Sequence, residues 1–590
     1  MKTSQKLLSL LLALCLLTGL LAGCGNAAAS GADSAGSDTA VSEAAETEAA
    51  SAEAAPAEEP ETPAEEAPAA EAASAEEPEA EEAPAEPEVD LTIELPLTEE
   101  DLTFTMWHDF VPPLADYMDG MQDNLAYQTM EERTGVHMDI TSVNKDQSAT
   151  AVALLVASGD YPDIWDGFAS YYTSSIDSAV EAEIIIDLAE YKDLMPNYFT
   201  TVDGNEQYAK ETYTDSGVMG LAYTLNTKSV MESGLVVRQD WLDALGIDTP
   251  VTYDDFTEAL TAMHDAYGAS LWTTYLGDDC TKSISAGFGI TAYNVGSETY
   301  FEQIDGEVVF SPLQEGYLEY VTLMNQWYQE GLLYPDFMSG TGTTTCDADL
   351  MGSGQISMVS TPAGPIDQFY SATDNADFNL AALNRPVKEA GDVVHQGSTV
   401  TMTSSNGFSV STAVDPDTEE FEILLKWLDY WYTEDGSLLA NYGVEGTTFE
   451  YDADGNPVFT DLMTNNPDGI AFTLCMNRYV LFVGSFLNDN TRSQVNYTEK
   501  QAELVSVWSE NNGDGAYVYP TAVSLTTEES DAFTSGYSDI ATYVESETLG
   551  FITGSVPLTE YDAFCENIES MGIDELIEIY QAALDRYNAR

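Results

Sequence analysis

The chain has 590 residues, of which 103 are acidic and 17 basic, for a formal net charge of -86. Nucleic acids and anionic bilayer surfaces are held by clustered Lys and Arg, so neither is expected as a direct partner. The four histidines (His108, His137, His264 and His395) are far apart and show no HExxH spacing, so no metal site and no cofactor is expected.

Lys2 and Lys6 precede an apolar run from Leu7 to Leu21. A basic start before a run too short to span a bilayer comfortably is the pattern of a secretory signal. Leu21-Ala22-Gly23-Cys24 closes the run and resembles a bacterial lipobox. That resemblance implies cleavage before Cys24, lipidation of the cysteine, and anchoring at the outer face of the cell membrane. Residues 1–23 are then signal peptide and 24–90 a linker. Residues 26–90 are mostly Ala, Glu, Pro, Ser and Gly, with twenty acidic and no basic or aromatic side chains. Such a segment buries too little apolar surface to offset its ordering entropy and is expected to be disordered. The rest of the chain, with 83 acidic against 15 basic residues, still carries about -68.

From Leu91 onward aromatic residues become dense and periodic segments begin. Leu102 to Trp107 alternates as a strand does, Asn124 to Arg133 has helical spacing before Gly135, and Val136 to Ile140 alternates again. Ala151 to Val156 reads as helix and Asp163-Ile164-Trp165 as a third short strand. Strands alternating with helices predict βαβ units and a mostly parallel sheet. A second α/β region starts near Gly234, with Leu235 to Arg238 as strand and Gln239 to Leu245 as helix. Thr252 is a candidate N-cap for the next helix. Tyr317 to Leu332 predicts a long amphipathic helix. Helical faces recur at Phe421, Leu424, Leu425, Leu428 and Trp431, and again from Ile573 to Tyr587. Of six cysteines, Cys280, Cys346, Cys475 and Cys565 would remain beside the lipidated one, widely spaced. They allow three pairings, although buried free thiols are the favoured reading.

Several segments, in this order, resemble the extracellular solute-binding lipoproteins of bacterial ABC sugar importers, of the large carbohydrate-binding type. They include Ala157-Ser158-Gly159-Asp160-Tyr161-Pro162-Asp163-Ile164, Val237-Arg238-Gln239-Asp240-Trp241-Leu242-Asp243, Glu330-Gly331-Leu332-Leu333-Tyr334-Pro335-Asp336-Phe337 and Glu547-Thr548-Leu549-Gly550-Phe551. The resemblance implies an α/β, two-lobed, periplasmic-binding-protein-like fold of type 2, with a hinge between the lobes and a ligand cleft. Residues 91–225 and 405–450 are assigned to the first lobe, and 226–404 and 451–590 to the second. The implied partners are a carbohydrate and the permease subunits of the transporter. The chain is expected to act as a monomer that touches membrane only through its lipid. Many relatives carry an acidic calcium loop after the helix that starts near Thr252. Here His264-Asp265-Ala266-Tyr267-Gly268-Ala269-Ser270 leads straight into the next strand, so no calcium is expected there.

Open α/β sheets bind ligands at the carboxyl ends of their strands. This rule selects Trp107, His108 and Asp109 after the first strand, Trp165 and Asp166 after the third, and Tyr171 and Tyr172 in the following loop. In the second lobe it selects Trp272 and Asp278. Aromatic rings suit the C–H face of a sugar, while carboxylates, amides and Arg suit its hydroxyls. Trp107, Trp165 and Trp272 fit cleft or core equally well. Trp241, Trp327, Trp427 and Trp431 lie on helix faces and read as core. Arg238 could reach a ligand or a carboxylate at the hinge, the hinge being preferred. Glu445 could bond a ligand or cap backbone amides. No GxSxG, GxxxxGK[ST] or dinucleotide fingerprint occurs, so an enzyme is not expected. Exported glycan-active enzymes, adhesins and binders of other solutes such as peptide are the rival readings.

Overall fold

The alternation that begins at Leu102 runs on through Phe110, because this segment pairs in parallel along its whole length with Val136–Asn144, Leu102 opposite Val136 and Phe110 opposite Asn144. The computed structural model describes residues 90–590 apart from 229–230, 273–278, 295–298, 338–347, 398–401 and 511–512. The expected signal peptide, lipidated Cys24, residues 24–89 of the linker, Cys346 and Asp278 lie outside the described residues. In chain order the strands are β1 Leu102–Phe110, β2 Val136–Asn144, β3 Ile164–Asp166, β4 Ala222–Lys228, β5 Ser233–Arg238, β6 Ser270–Leu271 and β7 Phe301–Ile304. They continue with β8 Glu307–Phe310, β9 Ile356–Pro362, β10 Leu380–Leu383, β11 Thr403–Val410, β12 Phe449–Tyr451, β13 Pro457–Phe459 and β14 Leu487–Asp489.

The first lobe is built on a six-stranded sheet of order β14-β4-β11-β3-β1-β2. Only β11 runs antiparallel to its neighbours. Both faces are covered, as a mainly parallel sheet requires. Phe104, Met106, Ile164 and Phe408 pack on one side with Trp427 and Trp431 of helix Glu419–Tyr430 and its flank. Trp107 and Trp165 pack on the other side with Val152 and Phe168. The helix expected from Asn124 begins one residue later, because the Asn124 carboxamide caps it by accepting from the N–H groups of Ala126 and Tyr127.

The second lobe carries the mixed sheet β10-β5-β9-β6 and the hairpin β7-β8. Its core gathers Phe256, Tyr317, Tyr320, Trp327, Phe551 and Leu584 from the long helices Tyr253–Tyr267, Glu315–Gln329, Thr527–Thr553 and Ile573–Asn588. The chain crosses between the two sheets three times, from β4 to β5, from β10 to β11, and from β14 into helix Glu499–Glu510. That helix returns to the second lobe, where Trp508 Nε1 donates to the Leu235 carbonyl at 3.0 Å. The crossings are tied together where they leave the first sheet: Lys228 pairs with Asp489 at 2.7 Å, and Asn488 donates to Asn226 at 2.9 Å. Glu232 then accepts from Ser493 at 2.7 Å and from Tyr497 at 2.9 Å.

Two expectations are corrected here. Residues 451–489 do not go with the second lobe, because β14 is the edge strand of the first sheet and Phe459, Met463 and Cys475 pack with Tyr442 of the preceding helix. Three residues of strand leave no periodicity to read. Trp107, His108 and Asp109 lie within β1 rather than after it, just as Trp165 and Asp166 lie within β3. Helix Tyr253–Tyr267 ends at Gly268 (φ 71°), and β6 starts two residues on, at Ser270. Cys475 and Cys565 are free thiols.

Candidate ligand-binding site

The parallel strands of the first sheet all end on one edge, at Phe110, Asn144, Asp166, Lys228 and Asp489. The same edge sends out the crossing segments, so it faces the second lobe, whose β9 and β10 also end towards the crossings. Pleating puts His108 and Asp166 on the face that holds Met106 and Ile164, and Asp109 on the face that holds Trp107. His108 is 3% exposed; its Nε2 lies 2.8 Å from Asp166 Oδ2, and its Nδ1 contacts the Asp109 carbonyl. Carboxylate and carbonyl oxygens only accept, so protons on both ring nitrogens satisfy both contacts. Burial disfavours the charged imidazole, yet the attraction and hydrogen bond of Asp166, helped by Asp109, outweigh it and raise the pKa of His108. Tyr127 adds a long 3.5 Å hydrogen bond to the same Asp166 oxygen.

On the other face, Tyr171 donates to Asp109 Oδ2 at 2.6 Å, and Lys145 Nζ stands 3.7 Å from that oxygen. Burial and the Asp109 carboxylate push the Tyr171 phenol well above its ordinary value, which keeps it a donor. The Asp109 side chain is 17% exposed and Tyr171 is half-buried, so this pair borders open space at the carboxyl edge. Tyr172 is half-buried and stacks on Phe168, ring centroids 4.8 Å apart.

Trp107 and Trp165 are fully buried, with ring centroids 6.2 Å apart, and their indole N–H groups have no acceptor among the described residues. In this arrangement they are packed as core beneath the edge. Trp272 follows β6, is buried with Val236 and Val359, and donates its backbone N–H to Met358. Arg238 is buried at the end of β5; it grips Asp240 through Nε and Nη2 at 2.8 and 2.6 Å and lies over Trp241 and Phe378. Its guanidinium is thus committed within the second lobe, away from the crossings. Glu445 is exposed in the turn before β12. The edge therefore unites His108, Asp109, Asp166 and Tyr171 and leaves Arg238 and Glu445 apart.

A cavity of about 430 Å³ lies between the lobes. Gln207 and Glu211 of helix Glu206–Thr212 line it from the first lobe, Met402 from a crossing, and Gln303, Val518 and Tyr587 from the second. Glu211 already accepts from the backbone N–H and hydroxyl of Thr403 at 2.9 and 2.8 Å and from Gln207 at 2.8 Å. Two amides, a phenol, a carboxylate and the Thr521 hydroxyl stand beside the apolar Met402, Val518, Pro520 and Ala522, a mixed lining that suits a neutral molecule with both hydroxyls and C–H faces. None of these residues was among those selected by strand-end position; amides and a methionine scattered from 207 to 587 form no motif. Among the described residues no group of three or more His, Cys, Asp or Glu could hold a metal ion, and no helix is long and apolar enough to cross a membrane.

Residues 126–428 match the family of bacterial extracellular solute-binding proteins, and the chain belongs to that family. Lipoprotein LipO of Bacillus subtilis is 22% identical over 480 residues, covering 77% of this chain and 88% of that protein. The fructooligosaccharide ABC transporter substrate-binding protein FusA of Streptococcus pneumoniae is 23% identical, covering 79% and 88%. The FusA structure in complex with kestose is similar with a TM-score of 0.63 at 19% identity, covering 82% of this chain and 99% of that one. The calcium-free alginate-binding protein AlgQ2 is similar with a TM-score of 0.62 at 18% identity, covering 83% and 99%. The fold is thus that of the two-lobed solute-binding proteins, and these matched proteins are binding proteins rather than enzymes.

Proposed function

We propose that this chain is the substrate-binding component of an ABC importer, lipid-anchored through Cys24, that captures a sugar or oligosaccharide between its lobes and hands it to a membrane permease. The observation that carries this reading is the cavity walled by both lobes, with Gln207, Glu211, Gln303 and Tyr587 in its lining. A ligand that touches both lobes favours the arrangement that encloses it, and one that touches a single lobe shifts nothing. The relatives support a carbohydrate: FusA is named for fructooligosaccharide and YtcQ of Bacillus subtilis, 20% identical with 78% of this chain and 87% of that protein covered, for polygalacturonan and rhamnogalacturonan. Charge favours a neutral glycan here, because a body at about -68 repels a polyuronate. Cys24 after Leu21-Ala22-Gly23 and the acidic linker would tether the lobes to the outer face of the membrane and let them reach outward.

The test is a thermal-shift screen of the secreted chain against neutral oligosaccharides, polyuronates and peptides. Binding to the folded state raises the melting temperature by mass action. A shift with neutral oligosaccharides and none with polyuronates is expected; a shift with peptides alone would replace the reading with that of a peptide binder.

A further inference from the structure

The last turns of helix Ile573–Asn588 reach out of the second lobe and grip the first. Asp215 of the first lobe sits in a loop held to Asp177 by Thr214 and Ser216. Its carboxylate accepts from Arg586 Nε at 2.8 Å and from Arg590 Nε at 2.8 Å, while Arg590 Nη2 stands 2.6 Å from Oδ1. The Arg590 side chain is only 8% exposed. Its other N–H groups donate to the Lys210 carbonyl in the first lobe at 2.7 Å and to Ser524 Oγ in the second at 3.1 Å. Arg586 is aimed by Glu529, which takes two of its N–H groups at 2.9 and 2.6 Å. Burial works against the Glu529 carboxylate, but the Arg586 hydrogen bond prevails and holds its pKa low. Tyr587, between the two arginines in sequence, lines the interlobe cavity.

Most of the chain's charge is negative, so the lobes repel each other, and two of its 17 cations are spent on one carboxylate across the gap. We propose that Arg586 and Arg590 with Asp215 form an electrostatic clasp that holds the lobes in this arrangement before any ligand arrives. The clasp joins elements that belong to different lobes, so it is made only when they approach as they do here. An interaction present in one arrangement alone shifts the population towards it. On the ligand-capture reading above, breaking the clasp also lowers ligand affinity, because less of the binding-competent arrangement is populated.

The test needs no ligand. In the full-length chain, labels carried by non-natural residues at Glu132 in the first lobe and Asp574 in the second, both exposed, report the lobe separation by double electron–electron resonance. The unaltered ligand-free protein is expected to give one narrow distance. Asp215→Asn, which leaves the Arg586–Glu529 pair in place, is expected to shift the distribution to longer distances and broaden it. Arg590→Lys, which keeps the charge but loses the fork that spans both lobes, should produce a smaller shift in the same direction. Distributions in both variants that superimpose on that of the unaltered protein, or that shift to shorter distances, would overturn the clasp. Because no ligand is present, that failure would leave the capture reading standing.

Discussion

Tyr171 and Asp109 meet at 2.6 Å across the gap between helix Phe168–Tyr171 and β1. The phenol fixes the Asp109 carboxylate, which also has Lys145 Nζ and His108 Nδ1 each at 3.7 Å. Tyr171→Phe removes that donor while keeping the ring against Trp107, centroids 5.7 Å apart. A single hydrogen bond contributes about 1 kcal/mol, so stability should fall by roughly that much. Calorimetric titration should show ligand affinity lowered by about five- to tenfold.

His108 gives a pH dependence of definite sign. Its folded-state pKa is raised above the ordinary imidazole value by Asp166, with burial opposing. The stabilisation is therefore fully present below the unfolded pKa of about 6.5 and is lost as pH rises through the folded value. His108→Gln should flatten the fall in melting temperature across that window, as followed by circular dichroism at stepped pH.

Glu302 on β7 gives the opposite kind of group. It is 1% exposed, neither carboxylate oxygen has a well-formed hydrogen bond among the described residues, and burial pushes it up to about 8 against the opposing pull of Thr291 and Ser311. The unfolded chain releases this proton near pH 4.5, so stability is greatest below that value and declines up to pH 8, by at most about 1.4 kcal/mol per unit. Glu302→Gln should remove this decline, and urea unfolding at pH 5 and pH 8 measures it.

Arg238 and Asp240 form a buried pair, with side chains 3% and 9% exposed. Asp240→Ala strands the guanidinium between Trp241 and Phe378 and should cost roughly 3–5 kcal/mol in urea unfolding. Removing both charges with well-packed apolar residues should cost much less.

At the other end of the chain, Cys24→Ser should release the protein into the medium with its ligand affinity unchanged. Fractionation and titration of the released protein check both halves.

The fold was legible where periodicity is long. The helices near Asn124, Thr252, Tyr317 and Ile573 start within a residue or two of where spacing and capping residues put them, although the third ends at Gln329, three residues before the expected Leu332. It was illegible at β14, three residues that join the first sheet from more than 70 residues after β11, because no local pattern records a long-range pairing. The strand-end rule found the His108, Asp109, Asp166 and Tyr171 group because those residues do lie at a carboxyl edge. It could not tell Trp107 and Trp165 from cleft aromatics, since successive residues of a strand point to opposite faces and each face here has its own helices. The clasp is likewise invisible in sequence: Asp215 and Arg590 are 375 residues apart.

The central claim is that a carbohydrate is enclosed between the lobes. It is tested most directly by isothermal titration of the secreted chain with the neutral oligosaccharide that raises its melting temperature most, repeated with Asp109→Asn. The account predicts one site per chain with an affinity near the micromolar range, about -8 kcal/mol, weakened at least tenfold by the substitution. Saturable binding that Asp109→Asn leaves unchanged, or no heat with any glycan, would contradict it.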